Sequence, residues 1–303
     1  MTFSIVARCE RTGELGIAVS TAVPAVGAIC PYLCANVGAV STQSWVNPYL
    51  AIQALDQLGK GLDAGTAMAQ VLEGDSGRDM RQLAIVDRHG GTAVWTGPSC
   101  VGWAGDRRGP GYTVQGNMLV GAGTLDAMAD AYEASAGQPL AERLMRSLEA
   151  GQAAGGDKRG RQSASLKVME REAYAALDLR VDDHPEPVAE LRRVYQVAQQ
   201  QFVPFVQGMP TLDDPGRAPP SEVAVLLLKS PGERPGAPPP GNEVLTQWMG
   251  TRFAPDRLEH NLNVYRGIVG EIARLRQLDL AQLHPAVVFD PLRALHPEQA
   301  NEA

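Results

Sequence analysis

Residues 1–20, MTFSIVARCERTGELGIAVS, hold two short β-favouring runs, Phe3 to Ala7 and Leu15 to Ser20. The Thr12-Gly13 pair between them supplies the turn, so the chain opens on an antiparallel hairpin. Beyond it, Gly16 to Leu55 carries no charged side chain and is apolar for much of its length. Pro24, Pro31 and Pro48 divide this stretch, and Ser20, Thr21, Ser41, Thr42, Gln43 and Asn47 are scattered through it. No continuous block of ~20 apolar residues is left to span a bilayer. Buried strands account for the composition better. Further strands are expected at Ala25 to Cys30 and Asn36 to Thr42, followed by amphipathic helices from Pro48 to Leu58 and Ala64 to Leu72.

The pattern then repeats in kind. Gln82 to Asp87 and Thr92 to Thr96 flank Arg88-His89-Gly90-Gly91, a second hairpin signal, and Thr113 to Asn117 reads as a strand. Helices are expected at Thr124 to Glu133 and Leu140 to Ala150, then a flexible basic loop over 151–161. Strands follow at Gln162 to Met169 and Leu177 to Val181, and a helix from Pro187 to Gln201 carries Val188, Leu191, Val194 and Tyr195 on one face. Runs of strands separated by paired helices favour α+β layering, two sheets with helices outside, over an alternating parallel sheet.

The chain has 303 residues, 44% hydrophobic and 20% charged, which suits one or two folded domains. Lys plus Arg number 27 against 34 Asp plus Glu, a net charge of −7, which argues against nucleic acid and anionic membrane as partners. Gly at 32 and Pro at 22 with 5% aromatics indicate tight turns and a core of small aliphatic side chains. Cys9, Cys30, Cys34 and Cys100 are too sparse for a disulfide scaffold and lack paired CxxC spacing, so reduced thiols are expected. Arg8, Glu10 and Arg11 interrupt any apolar signal segment, and a cytoplasmic location is the expectation.

Residues 1–203 thus read as one domain. Residues 204–241, with ten of the prolines, read as a Pro/Gly-rich linker in which only Glu222 to Lys229 has strand character. Residues 242–303 read as a small helical segment. In it, Leu258, Leu262, Tyr265, Ile268, Val269, Ile272 and Leu275 form a helical stripe that needs a covering surface.

No Walker loop, dinucleotide fingerprint, GxSxG elbow or HExxH motif is present. Pro31 between Cys30 and Cys34 disfavours a helical metal pair. Asp182-Asp183-His184 gathers two carboxylates and an imidazole after a strand, a pattern met by hydrogen bonds within a loop or by a metal. No metal or cofactor is assigned. The N-terminus is more informative. Removal of Met1 would give Thr2 a hydroxyl and an α-amine on one residue, a nucleophile with its own base, although Thr is also a common second residue.

The segments MTFSIVAR (1–8), GELGIAVS (13–20), AVGA (25–28), VQGNML (114–119), AGGDKRGRQSA (154–164) and DLRVDDHP (178–185) closely resemble the domain of unknown function 1028 family. The resemblance spans about Met1 to Tyr195. It implies a four-layer αββα sandwich of the Ntn-hydrolase type, and the Ntn superfamily uses an N-terminal Thr, Ser or Cys for amide hydrolysis. Thr2 is the matching position, with Ser4 the fallback two residues along the same strand face. Gln115 and Asn117 are candidate oxyanion donors, their bland alternative being a turn. Asp157, Arg159 and Arg161 lie in a loop that either binds a substrate carboxylate or is simply solvated. Arg8, Ser20 and Asn47 would line the same cleft.

RLEHNLNVYR (257–266) and HPAVVFDP (284–291) resemble the small adaptor subunits of amidase-signature enzymes, among them the amidotransferase C subunit and the carboxybiuret hydrolase small subunit. That implies an amidase-type partner bound through residues 242–295; intrachain docking or oligomerisation would also cover the stripe. Two functions follow. One is hydrolysis of a small amide, ureido or carbamoyl compound; the other is a non-catalytic module that recruits and stabilises an amidase. A homodimer is the default expectation for a chain of this kind.

Overall fold

The computed structural model describes residues 2–230 and residue 234. The opening hairpin forms as read: β1 (Thr2–Arg8) pairs antiparallel with β2 (Leu15–Thr21), Thr2 opposite Thr21 and Arg8 opposite Leu15. After α1 (Val26–Ile29) come β3 (Pro31–Cys34), β4 (Gly38–Ser44), α2 (Pro48–Gly59) and α3 (Ala64–Glu73). The next elements are β5 (Arg81–Asp87), β6 (Thr92–Thr96), β7 (Trp103–Gly109) and β8 (Tyr112–Leu119), then α4 (Gly123–Ala134) and α5 (Leu140–Ala153). β9 (Ser163–Met169), β10 (Leu177–Val181), α6 (Pro187–Gln201), α7 (Val203–Gln207) and α8 (Ser221–Leu228) complete the described residues. The class is α+β. The strands make two antiparallel sheets, six-stranded in the order β10-β9-β2-β1-β8-β7 and four-stranded in the order β3-β4-β5-β6.

Three layers of contact hold the sheets and helices together. Phe3 and Ile5 of β1 meet Leu125, Met128, Leu144 and Leu191 on the helical face of the large sheet. Val40, Leu83 and Ile85 meet Leu50, Ala54, Met68 and Val71 of α2 and α3 on the helical face of the small sheet. Between the sheets, Val6, Leu15 and Ile17 pack on Ala39, Ala84 and Val86. The period of two along β1 therefore sends Phe3, Ile5 and Ala7 to the helices and Thr2, Ser4 and Val6 to the inter-sheet layer. Gly16 lets α5 lie directly on β2, since a Cβ there would fall 2.5 Å from Leu144 Cδ1 and 3.2 Å from Leu140 Cδ2.

Several expectations change. Ala25 to Cys30 is one helical turn, not a strand: Ala25 takes a left-handed φ of 56° and the Val26 N–H donates to Ser163 Oγ at 3.1 Å. β3 (Pro31–Cys34) is a strand the sequence did not indicate, and the strand expected from Asn36 starts at Gly38, because Asn36 (φ 59°) lies in the turn after Cys34. Strand β7 was not expected. It is an edge strand in which Asp106, Arg107 and Arg108 replace apolar alternation, and charge on an edge discourages further pairing. Where a strand is expected over Glu222 to Lys229, the chain is helical to Leu228, since a continuous apolar run carries no period that separates strand from helix. The helical segment expected over 242–303, its amidase-docking stripe included, lies outside the described residues. Among the described residues no helix is long and apolar enough to cross a membrane.

Gly16→Val should cost about 1–3 kcal/mol in urea denaturation, because the core side chains of α5 must retreat. A change below about 0.5 kcal/mol would show that α5 does not bear on β2 as described.

Candidate functional site

The inter-sheet layer changes character along its length. At the Arg8 end it is aliphatic; at the Thr2 end it is a continuous run of amides and hydroxyls. Gln43 of β4 and Gln82 of β5 are its centre. Gln43 Nε2 donates to Gln82 Oε1 at 2.7 Å and to the carbonyls of Thr2 and Gln115 at 3.4 Å each. Its Oε1 accepts from Ser4 Oγ at 2.7 Å and Ser41 Oγ at 3.3 Å. Gln82 Nε2 donates to the carbonyls of Gly105 and Gly116 and to Thr96 Oγ1, leaving Oε1 to accept from Gln43 and from Asn117 Nδ2 at 3.0 Å. Backbone carbonyls thus fix which way both glutamines point, and the polarity passes on to Asn117.

This ladder ends at a cavity of about 320 Å³ where the two sheets part. Thr2, Thr21, Gln43 and Asn117 line it, with Arg159 on one side. Thr2 is the register partner of Thr21 on one side and of Asn117 on the other. Its Oγ1 donates to Thr21 Oγ1 at 3.2 Å, and the residue is 7% exposed. Ser44 (φ 69°) and Met118 (φ 49°), both on the cavity wall, are held in the left-handed region, which costs an L-residue about 1–2 kcal/mol. Such strain persists only where the surroundings enforce it and concentrates at functional sites. Cys30 also reaches the cavity, but burial pushes its thiol up to about 12, so it stays protonated beside Ser41 Oγ at 3.2 Å.

The other expected site residues divide sharply. Ser4 and Gln115 are fully buried partners, with Gln115 Nε2 donating to Ser4 Oγ at 2.6 Å and Thr113 Oγ1 donating to Gln115 Oε1. Both belong to the ladder and not to the cavity wall. Asp157 is buried, accepts from the Ala22 N–H at 3.2 Å and the Arg159 N–H at 2.8 Å, and pairs with Arg159 Nη2 at 3.2 Å; it holds the loop that carries Arg159. Arg8 lies at the opposite end of β1 from Thr2. Ser20 pairs with Phe3, whose side chain packs in the helix-facing core, and donates to the Ser163 carbonyl. Asn47 caps α2 by accepting from the Tyr49 N–H. Arg161 is paired with Glu186. The Asp182 side chain meets Arg180, Asp183 accepts from Gln162, and His184 Nδ1 accepts from the Glu186 N–H. No group of three or more His, Cys, Asp or Glu residues suited to a metal occurs among the described residues.

Sequence reading overlooked Gln43 and Gln82 as site residues, and Trp45 on the rim. Their one signal is a buried-type strand that carries glutamine, the polar half Ser41-Thr42-Gln43-Ser44 of β4 and Gln82 ahead of the apolar run of β5. Trp45 is mounted firmly: its N–H donates to the Met80 carbonyl and its carbonyl accepts from Arg81 Nη1 at 2.7 Å. Arg81 in turn binds Asp75 at 2.9 Å, and that hydrogen bond holds the Asp75 carboxyl below its usual value.

Gln82→Met keeps the volume and removes every ladder contact at that point. It should destabilise by about 2–5 kcal/mol in chemical denaturation, because buried donors and carbonyls lose their partners. A cost below about 1 kcal/mol would mean that the ladder is not structural.

The family model described as a family of unknown function, DUF1028, matches residues 2–191. The crystal structure of a DUF1028 protein from Silicibacter pomeroyi is 30% identical, covers 73% of this chain and 96% of that one, and superposes with a TM-score of 0.67. Anbu, the ancestral beta-subunit from Yersinia bercovieri, is 11% identical over 69% of this chain and 99% of that one, with a TM-score of 0.34. The chain matches none of the curated proteins. It belongs to the DUF1028 family, whose function is unknown.

Proposed function

We propose that the chain is a hydrolase of a small C–N bonded substrate, an amide, ureido or carbamoyl compound, in which Thr2 attacks after Met1 is removed. The observation that carries the reading is the position of Thr2: it begins β1, at the wall of a cavity, with its hydroxyl bonded to the Thr21 hydroxyl and Asn117 as its register partner on the other side. Thr21, Ser44, Ser99 and Cys30 also line the cavity, but removal of Met1 supplies an α-amine to Thr2 alone. The helix–sheet, sheet–sheet and sheet–helix contacts agree with a four-layer Ntn-type sandwich, in which this strand end is where the nucleophile belongs.

The chemistry is then as follows. The Thr2 α-amine, with an ordinary pKa near ~8, takes the Oγ1 proton as Oγ1 bonds to the substrate carbonyl carbon. The C–N bond breaks as that proton passes to the leaving nitrogen, giving an ester on Thr2. Water hydrolyses the ester and restores the hydroxyl and amine. Asn117 Nδ2 carries two N–H groups and gives one to Gln82, so the other serves the developing oxyanion. Gln115 bonds Ser4 behind the cavity wall and takes no such part. Arg159 offers a planar fork to a substrate carboxylate.

Thr2→Ala preserves a small second residue, so Met1 processing is unchanged while the hydroxyl is lost. Hydrolysis across a panel of small amides, ureido acids and carbamoyl compounds should fall at least about a thousandfold. Thr2→Ser keeps both groups and should retain measurable turnover. Wild-type rates in Thr2→Ala would overturn the reading.

A further inference from the structure

The cavity at Thr2 combines a cationic loop with exposed apolar side chains. Among the described residues no Asp or Glu lines it, and its single lining cation is Arg159. The neighbouring Lys158 adds to that side: its Nζ is 3.4 Å from where a Cβ on Gly102 would be, next to the cavity-lining Val101 and Met118. Lys158 makes no ion pair among the described residues. Asp157 is buried and engaged by the Ala22 and Arg159 N–H groups and by the Arg159 guanidinium, so the loop presents net positive charge outward.

The rest of the cavity rim is apolar and open, with Val101 beside Lys158. Trp45 is 70% exposed, Val101 60%, Met80 43% and Ile29 39%, and all four line this one cavity. Single exposed apolar side chains are ordinary; four around a polar floor make a binding wall. Two of them are held from behind, Trp45 by Arg81 and Met80, and Val101 by the Met118 N–H at 3.0 Å. At about 320 Å³ the space suits one small molecule, near the lower end for ligand pockets.

We infer that the cavity selects a small amphipathic acid: one carbon bears a carboxylate toward Lys158 and Arg159, a branched apolar group toward Trp45 and an acylamino arm whose C–N bond lies at Thr2. This rests on the Thr2 reading only in naming which bond is cut. An N-acyl derivative of a branched-chain amino acid is the simplest compound of that form. The carboxylate gains a charge-assisted contact, and the apolar group covers side chains that otherwise face water.

The test measures binding without turnover, in the full-length Thr2→Ala protein, by calorimetry. Three probes separate the two ends: N-acetyl-L-leucine has both, N-acetylglycine lacks the apolar group, and N-acetyl-L-leucinamide lacks the charge. N-acetyl-L-leucine should bind at least about tenfold more tightly than either of the others. Adding Arg159→Met, or Lys158→Met if the first disturbs the loop, should erase the preference over the leucinamide. Adding Trp45→Ala, at an exposed position with little folding cost, should erase the preference over the glycine compound. Equal affinities for the three probes, no binding by any, or a Trp45→Ala protein with its preference intact would overturn the inference, the last identifying the rim as a face for something other than this ligand. Hydrolysis by the unsubstituted protein is read separately. The binding preferences without turnover would overturn the Thr2 chemistry and leave the specificity standing.

Discussion

Two sheets pressed face to face can hide polar side chains only if each finds a partner, and here that requirement is met by two glutamines. Gln43 and Gln82 exchange a 2.7 Å hydrogen bond and anchor their remaining ends on backbone carbonyls of β1, β7 and β8. An unpaired buried amide costs roughly 1–3 kcal/mol, so the pair fixes the register of one sheet on the other as firmly as an aliphatic contact would. An apolar layer would serve as well for stability. What the amides add is direction, because each link dictates whether the next group donates or accepts.

The direction matters at the open end. Asn117 meets Gln82 through its Nδ2, and Thr2 meets both the Gln43 side chain, through its carbonyl, and Thr21, through its hydroxyl. The first residue of β1 is therefore tied on three sides by strands and by a buried network, a rigid mount for a reacting group. Ser44 and Met118 are held in left-handed conformations at the same place, strain that the sheet pairing on either side sustains. The charged loop is organised from behind by Asp157, which binds the turn after β2 and the loop's own backbone.

Much of the fold was legible because its signals are local. The hairpin of β1 and β2, the helices α2 to α6 and the pair β9 and β10 follow from turn residues and apolar period, and each occurs close to its expected bounds. Apart from α8, whose apolar run has no telling period, what failed did so for tertiary reasons. The α1 turn exists because Ser163, far along the chain, accepts the Val26 N–H, and β7 exists because β8 pairs with it despite its charges. The site was legible in the same uneven way. Thr2, Asn117 and Arg159 line one cavity, whereas Ser4 and Gln115, equally polar and on the same faces, are absorbed into the ladder. Strand period places a residue on a face, but its depth along the strand decides between wall and interior, and Ser4 lies one pleat too deep. Gln43 and Gln82 escaped notice because a glutamine in an apolar strand gives no motif; only the facing sheet shows what it meets.

Catalysis by Thr2 requires that residue 2 carry a free amine. The mass of the N-terminal peptide from protein expressed without an added tag measures this directly. The expected peptide begins at Thr2, with no Met1 and no modification on the amine. A peptide that retains Met1, or one with its Thr2 amine blocked, would contradict Thr2 catalysis, and the cavity would then be a binding site without the nucleophile proposed for it.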